Sequence, residues 1–119
     1  MLEELLHISE LFDLYGALLT ERQQQCLTMH LFEDFSLTEI GESLGISRQA
    51  VYDMLHRAEQ TMEGYERRLG FLKRQRQERA ALGDIYRELA ALPVQPSGPV
   101  KALLKRLAPF TDQKQEVEL

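Results

Sequence analysis

Apolar residues along this chain recur at intervals of three and four, and no run sustains the alternation of a strand. Leu5, Ile8, Phe12, Tyr15 and Leu19 set the first stripe and predict a helix over about residues 2–18. Leu11, Leu14 and Leu18 widen that stripe past half the circumference. A helix so apolar needs two partners, or one partner and a second copy of the chain. Thr20, with Gln23 three residues on, reads as a capping box opening a second helix over about residues 21–33. Leu27 and Leu31 fall on its inner face, with Cys26 and His30 beside them. Ser36 and Glu39 form a second box, opening a short helix over residues 37–44 that Gly45 ends in the left-handed position. Ser47 caps a helix from residue 48 to about residue 69, with Gly70 as its stop. Another helix is expected over about residues 71–92. A short amphipathic helix then opens at Ser97-Gly98-Pro99, carries Val100, Leu103, Leu104 and Leu107 on one face, and ends at Pro109.

The fold class is therefore all-α. Residues 1–70 read as a domain and residues 71–92 as a basic helical extension. Residues 93–99 follow as a proline-rich linker, and residues 100–119 as a short helix with a mobile tail. Within the first part, residues 37–55 carry the most specific pattern. Ile40 and Leu44 lie one turn apart and face inward, and Gly41 between them marks a close backbone crossing. Gly45 makes the tight turn, Ile46 fills the corner, and Val51 with Met54 or Leu55 gives the second helix its buried face. This spacing meets the steric demands of a helix-turn-helix inside a three-helix core. The fold expected is therefore a helix-turn-helix three-helix core without a wing, with additional C-terminal helices.

The exposed start of the second helix suits nucleic acid. Ser47 and the helix N-terminus can meet a phosphate. Arg48 can bind a guanine edge or a phosphate, and Gln49 an adenine edge. Tyr52, Asp53, His56 and Arg57 share that face. Asp53 works against the attraction, and residues 48–62 carry two basic and two acidic side chains, so this stretch offers no net pull.

Charge adds a second candidate. The chain has 119 residues and a net charge of −5, too acidic for strong nonspecific DNA binding. Residues 1–46 hold nine acidic side chains and only Arg22, whereas residues 47–119 hold thirteen basic and ten acidic ones. Arg67, Arg68, Lys73, Arg74, Arg76 and Arg79 stand against Glu78 alone within residues 67–79, a secondary basic patch. Only alanines are apolar in residues 73–81, so that stretch reads as solvated and projecting.

The run Leu37-Thr38-Glu39-Ile40-Gly41-Glu42-Ser43-Leu44-Gly45-Ile46-Ser47-Arg48-Gln49-Ala50-Val51-Tyr52-Asp53 resembles the YlxM family. It is preceded by Leu11-Phe12-Asp13-Leu14-Tyr15-Gly16-Ala17-Leu18-Leu19-Thr20 and followed by Arg57-Ala58-Glu59 and Tyr65-Glu66. The resemblance covers about residues 5–72. These are small bacterial helix-turn-helix proteins related to region 4 of sigma factors, whose genes neighbour those of the signal recognition particle. The resemblance implies a regulatory or accessory role in that targeting pathway, with DNA or the particle's RNA as partner and the particle's protein as a further one.

Other chemistry finds little support. His7, His30 and His56 fall on three different helices, and one cysteine cannot form a cysteine-rich zinc site, so no metal and no cofactor are expected. There is no phosphate loop and no nucleophile elbow, and the chain does not read as an enzyme. The longest stretch without a charge, residues 89–100, holds three prolines and is too short to span a bilayer. Glu3 and Glu4 at the start argue against a leader, and the lone cysteine fits a reducing cytoplasm. Two functions stay open: a nucleic-acid-binding regulator, and a protein-binding adaptor using the helix-turn-helix as scaffold. The apolar first helix favours a homodimer, with cover by the later helices as the alternative.

Overall fold

The computed structural model describes residues 2–93 and 97–111. Among them there are helices and no strand: α1 (Leu2–Tyr15), α2 (Glu21–Leu31), α3 (Leu37–Leu44), α4 (Arg48–Leu69), α5 (Phe71–Ala90) and α6 (Gly98–Leu107). The chain divides into two compact units, residues 1–72 and 73–119. Part of the expected linker, residues 94–96, and residues 112–119 of the mobile tail expected over 110–119 lie outside the described residues. The first two residues of that tail are instead held, Phe110 at the end of a 3-10 turn (Ala108–Phe110) and Thr111 buried with its hydroxyl on the Ala108 carbonyl.

Caps set the boundaries in the first unit. Thr20 Oγ1 accepts from the Gln23 N–H and the Gln23 side chain returns the bond to the Thr20 N–H. Ser36 and Glu39 close the second box in the same way. The first helix stops at Tyr15, three residues short of expectation, and continues as a 3-10 turn through Leu18. Gly16 weakens the helix there; its carbonyl accepts the Leu19 N–H at 3.1 Å, and the Gln24 amide donates to the carbonyls of both Gly16 and Leu19. The second helix ends at Leu31 rather than near residue 33, and Asp34 turns the chain with φ 56°. α5 ends at Ala90 rather than near residue 92.

α4 is the hub of the first unit. Val51, Ala58 and Met62 lie on one face and are wholly buried. Val51 joins Cys26 of α2 and Ile40 of α3, with Leu44, Ile46, Met54 and Leu55 packed around them. Ala58 and Met62 join Leu11, Tyr15, Leu19, Leu27 and Leu72, with Ile8, Phe12, Leu31 and Tyr65 alongside. The first half of α4 thus closes the helix-turn-helix, and its second half carries α1. The start of α5 belongs to this cluster, because Phe71 stacks on Tyr15 with centroids 6.4 Å apart. In the second unit α5 and α6 meet around Tyr86, Leu104 and Ala108, flanked by Leu89, Val100 and Leu107.

Candidate nucleic-acid interface

The turn before α4 is held by two glycines for different reasons. Gly45 has φ 71°, the left-handed region. Gly41 is held by space: a Cβ there would sit 2.7 Å from the Ile46 carbonyl oxygen. The close approach comes from the turn's own backbone. The N–H groups of Gly45 and Ile46 both reach the Gly41 carbonyl, the second at 2.9 Å, which is the Schellman closure of α3. Arg22 Nη2 donates to the Leu44 carbonyl at 2.5 Å. The single basic residue of the first 46 is therefore used to tie α2 to the end of α3.

This geometry presents one face of α4. Ser47, Arg48, Gln49, Tyr52, Asp53, His56 and Arg57 are all exposed. Ser47 is extended at ψ 159° and its Oγ accepts from the Ala50 N–H at 3.0 Å. The hydroxyl proton remains available to a phosphate, as do the first N–H groups of the helix at Arg48 and Gln49. The Arg48 guanidinium makes no hydrogen bond to a described residue and is placed to act as a fork-shaped donor. Gln49 Nε2 donates to Asp53 Oδ1 at 3.1 Å. Asp53 thus fixes the plane of the Gln49 amide while leaving its carbonyl oxygen and one N–H outward. Tyr52 and His56 stack nearly parallel, at 4° and 6.2 Å between centroids.

The secondary basic patch falls on two helices in two units. Arg67 and Arg68 are exposed in the last turn of α4, whereas Lys73, Arg74, Arg76 and Arg79 lie on α5. Arg74 Nε is 3.1 Å from Glu78 Oε1, an exposed pair one turn apart. Residues 73–78 are all exposed, and Arg79 is half-buried.

The sequence reading passed over the outward residues of α4 between Arg57 and Arg67. Gln60, Thr61, Gly64, Tyr65, Arg67 and Arg68 line a shallow cavity of about 350 Å³. The signal was present as a stripe at intervals of four, three and four through Arg57, Thr61, Gly64 and Arg68.

His7, on α1, lies 2.6 Å from Glu63 of α4. His30 is half-buried on α2, and Cys26 is wholly buried with its thiol pushed up by burial. Among the described residues no group of three His, Cys, Asp or Glu side chains is placed to hold a metal ion, and no helix is long and apolar enough to cross a membrane.

Comparison with known proteins agrees with the turn geometry. Residues 2–94 match the family UPF0122, described as "Putative helix-turn-helix protein, YlxM / p13 like". A UPF0122 protein of Caldanaerobacter subterraneus is 49% identical over 74 residues, 62% of this chain and 63% of its own length. The chain thus spans a little under two thirds of that relative. One from Symbiobacterium thermophilum is 44% identical over 87 residues, 73% of this chain and 80% of its own. One from Shouchella clausii is 37% identical over 91 residues, 76% of this chain and 84% of its own. The match takes in α1 through α5, including both glycines of the turn and the exposed face of α4. The chain belongs to the UPF0122 family of YlxM/p13-like helix-turn-helix proteins.

Proposed function

We propose that the protein is a non-enzymatic, cytoplasmic regulator that binds nucleic acid through the start of α4. The observation that carries this is the exposure, on one face behind a sterically fixed turn, of Ser47, Arg48, Gln49, Tyr52, Asp53, His56 and Arg57. Arg48 supplies a bidentate donor for a guanine edge or a phosphate. Gln49, held in plane by Asp53, supplies the paired donor and acceptor that an adenine edge requires. The target is DNA or the RNA of the signal recognition particle. The resemblance to YlxM proteins, whose genes neighbour those of the particle, supports the second.

The working form is a homodimer. Leu2, Leu5, Leu6, Leu14 and Leu18 stay exposed around α1, where Leu11 and Tyr15 fill the core. A second copy would cover leucines that this unit leaves open, and would repeat the recognition helix for a two-part site. Light scattering at micromolar concentration should give twice the 13.8 kDa chain mass; a monomer throughout would remove the dimer.

One observation favours the adaptor reading. Residues 1–72 carry thirteen acidic and five basic side chains, a surface that suits a basic protein partner such as the particle's own protein. Sequencing of nucleic acid crosslinked to the protein in cells, beside a pull-down of the particle's protein, separates the two. Recovery of one enriched RNA or DNA site supports the regulator. Recovery of the particle's protein alone, with no enriched nucleic acid, supports the adaptor.

A further inference from the structure

α4 carries four guanidinium groups and four carboxylates, so its net charge is zero. They are not mixed. Glu63 pairs with His7 of α1. Glu66 Oε1 accepts from the Tyr15 hydroxyl at 2.7 Å and from the Leu72 N–H at 2.9 Å. At about 100° per residue, Glu59, Glu63 and Glu66 fall within about 60° of one another, on the side of the helix that α1 covers. Arg57, Gln60, Thr61, Gly64, Arg67 and Arg68 occupy the outward side. The one carboxylate of α4 on that stripe is Asp53, a turn before Arg57, which is bonded to the Gln49 amide, and from Arg57 onward the stripe carries none. Neither Arg67 nor Arg68 pairs with a described carboxylate, and both are exposed.

Gly64 sits in the middle of this stripe, inside a helix, where glycine is a weaker choice than alanine. Packing does not ask for it: a Cβ would meet only Arg67 Nη2, at an ordinary 3.8 Å. What the missing side chain provides is the floor of the 350 Å³ cavity lined by Gln60, Thr61, Tyr65, Arg67 and Arg68. The Thr61 hydroxyl donates to the Arg57 carbonyl at 2.9 Å, so the donors left among the lining residues are the two guanidinium groups, the Gln60 amide and the Tyr65 hydroxyl.

We propose that this notch is a second nucleic-acid contact, which grips a backbone phosphate while the start of α4 meets the bases. The proposal rests on the reading of α4 as a nucleic-acid-facing helix and adds a site to it. Gly64 lies sixteen residues beyond Arg48, about 24 Å along the axis. At about 100° per residue it lies far around the helix from Arg48 but within about 20° of Asp53 and Arg57, and only about 10 Å along the axis beyond Arg57. A duplex carries a charge about every 1.7 Å of its own axis, so one lying against the Gln49, Asp53 and Arg57 side of the start of α4 has phosphates within reach of the notch. The contact reads no sequence; it sets register and adds affinity.

The test is fluorescence anisotropy of the full chain with two probes, a mixed-sequence 24-base-pair DNA duplex and a stem-loop RNA, across a salt series. The double variant Arg67→Gln/Arg68→Gln should bind the preferred probe roughly tenfold more weakly, with its salt slope reduced by about 1.8, or 0.9 for each lost phosphate contact. Gly64→Ala should raise the melting temperature and weaken binding together, a split that a merely structural glycine would not produce. An unchanged slope in Arg67→Gln/Arg68→Gln, while Arg48→Ala/Gln49→Ala loses binding, overturns the second site and leaves the first reading intact. If the unaltered protein binds neither probe at any salt, both fall together.

Discussion

Two buried tyrosines show how differently the two units are built. Tyr15, in the first, is 1% exposed, and its hydroxyl donates to Glu66, whose same oxygen also receives the Leu72 N–H. One carboxylate therefore ties α1, α4 and the start of α5 together. Tyr86, in the second, is 4% exposed, and its hydroxyl has no hydrogen-bond partner among the described residues. The same side chain is a joint in one unit and an unmet demand in the other. Caps repeat the contrast. Ser36 and Glu39 exchange bonds of 3.1 and 3.0 Å, whereas Ser97 reaches the Val100 N–H only at 3.5 Å. The first unit is specified by polar geometry as well as apolar area. In the second, a small apolar cluster is accompanied by short-range polar bonds such as Thr111 Oγ1 to the Ala108 carbonyl at 3.0 Å and Arg87 to Asp84, which ranks it lower in local stability.

The largest blow to the first unit should come from Met62→Ala. Met62 of α4 is wholly buried in a cluster with residues of α1, α2 and the start of α5, and its truncation should cost about 2–5 kcal/mol in urea unfolding. A loss below about 1 kcal/mol would deny α4 its role as hub. Next comes Tyr15→Phe, which removes a hydrogen bond to a half-buried carboxylate and should cost about 1.5–3 kcal/mol. Burial, then the bond to Glu66, raise the Tyr15 pKa above its ordinary 10.0. The folded state therefore holds that proton more tightly than the unfolded chain. Its stabilising effect is full below pH 10.0 and fades as pH climbs toward the raised value. Melts of Tyr15→Phe should accordingly lack part of the alkaline fall that the unaltered protein shows above pH 10.0.

Gly41→Val should follow, at about 1–3 kcal/mol, because the Ile46 carbonyl is backbone and cannot step aside. A melting temperature equal to that of the unaltered protein would contradict the packing of this turn. The smallest effect sharpens the comparison from the other side. Tyr86→Phe removes an unpaired buried hydroxyl and should leave the melting temperature unchanged or raise it, since an unsatisfied buried polar group is a cost of about 1–3 kcal/mol. A clear fall would mean that the Tyr86 hydroxyl is satisfied after all, and the contrast with Tyr15 would close.

Local rules carried much of the first unit. The two capping boxes, the left-handed Gly45 and the stop at Gly70 are properties of a few adjacent residues, and each stands where its spacing placed it. Ile40, Val51 and Cys26 could be assigned to the core from periodicity for the same reason. What escaped was long-range. Nothing near Glu66 announces that its carboxylate serves Tyr15, fifty-one residues earlier. Nothing near Arg22 announces a carbonyl at Leu44. The outward face of α4 was legible at its start, where capping and turn mark it. It faded beyond Arg57, because charge counted along the sequence averages to zero while charge counted around the helix does not. Gly64 was hidden for a related reason: a glycine without a turn carries no local signal, and only the side chains around it show a cavity.

The most direct test of the account is a binding isotherm for the nucleic acid recovered by crosslinking, measured with the unaltered chain and with Arg48→Ala/Gln49→Ala. Both side chains are exposed, and neither belongs to a core cluster, so the melting temperature should move little. The account predicts unchanged melting and a loss of affinity of at least tenfold, on the scale of about 1–3 kcal/mol for a bidentate base contact. Equal affinities for the two proteins, with both fully folded, would contradict it.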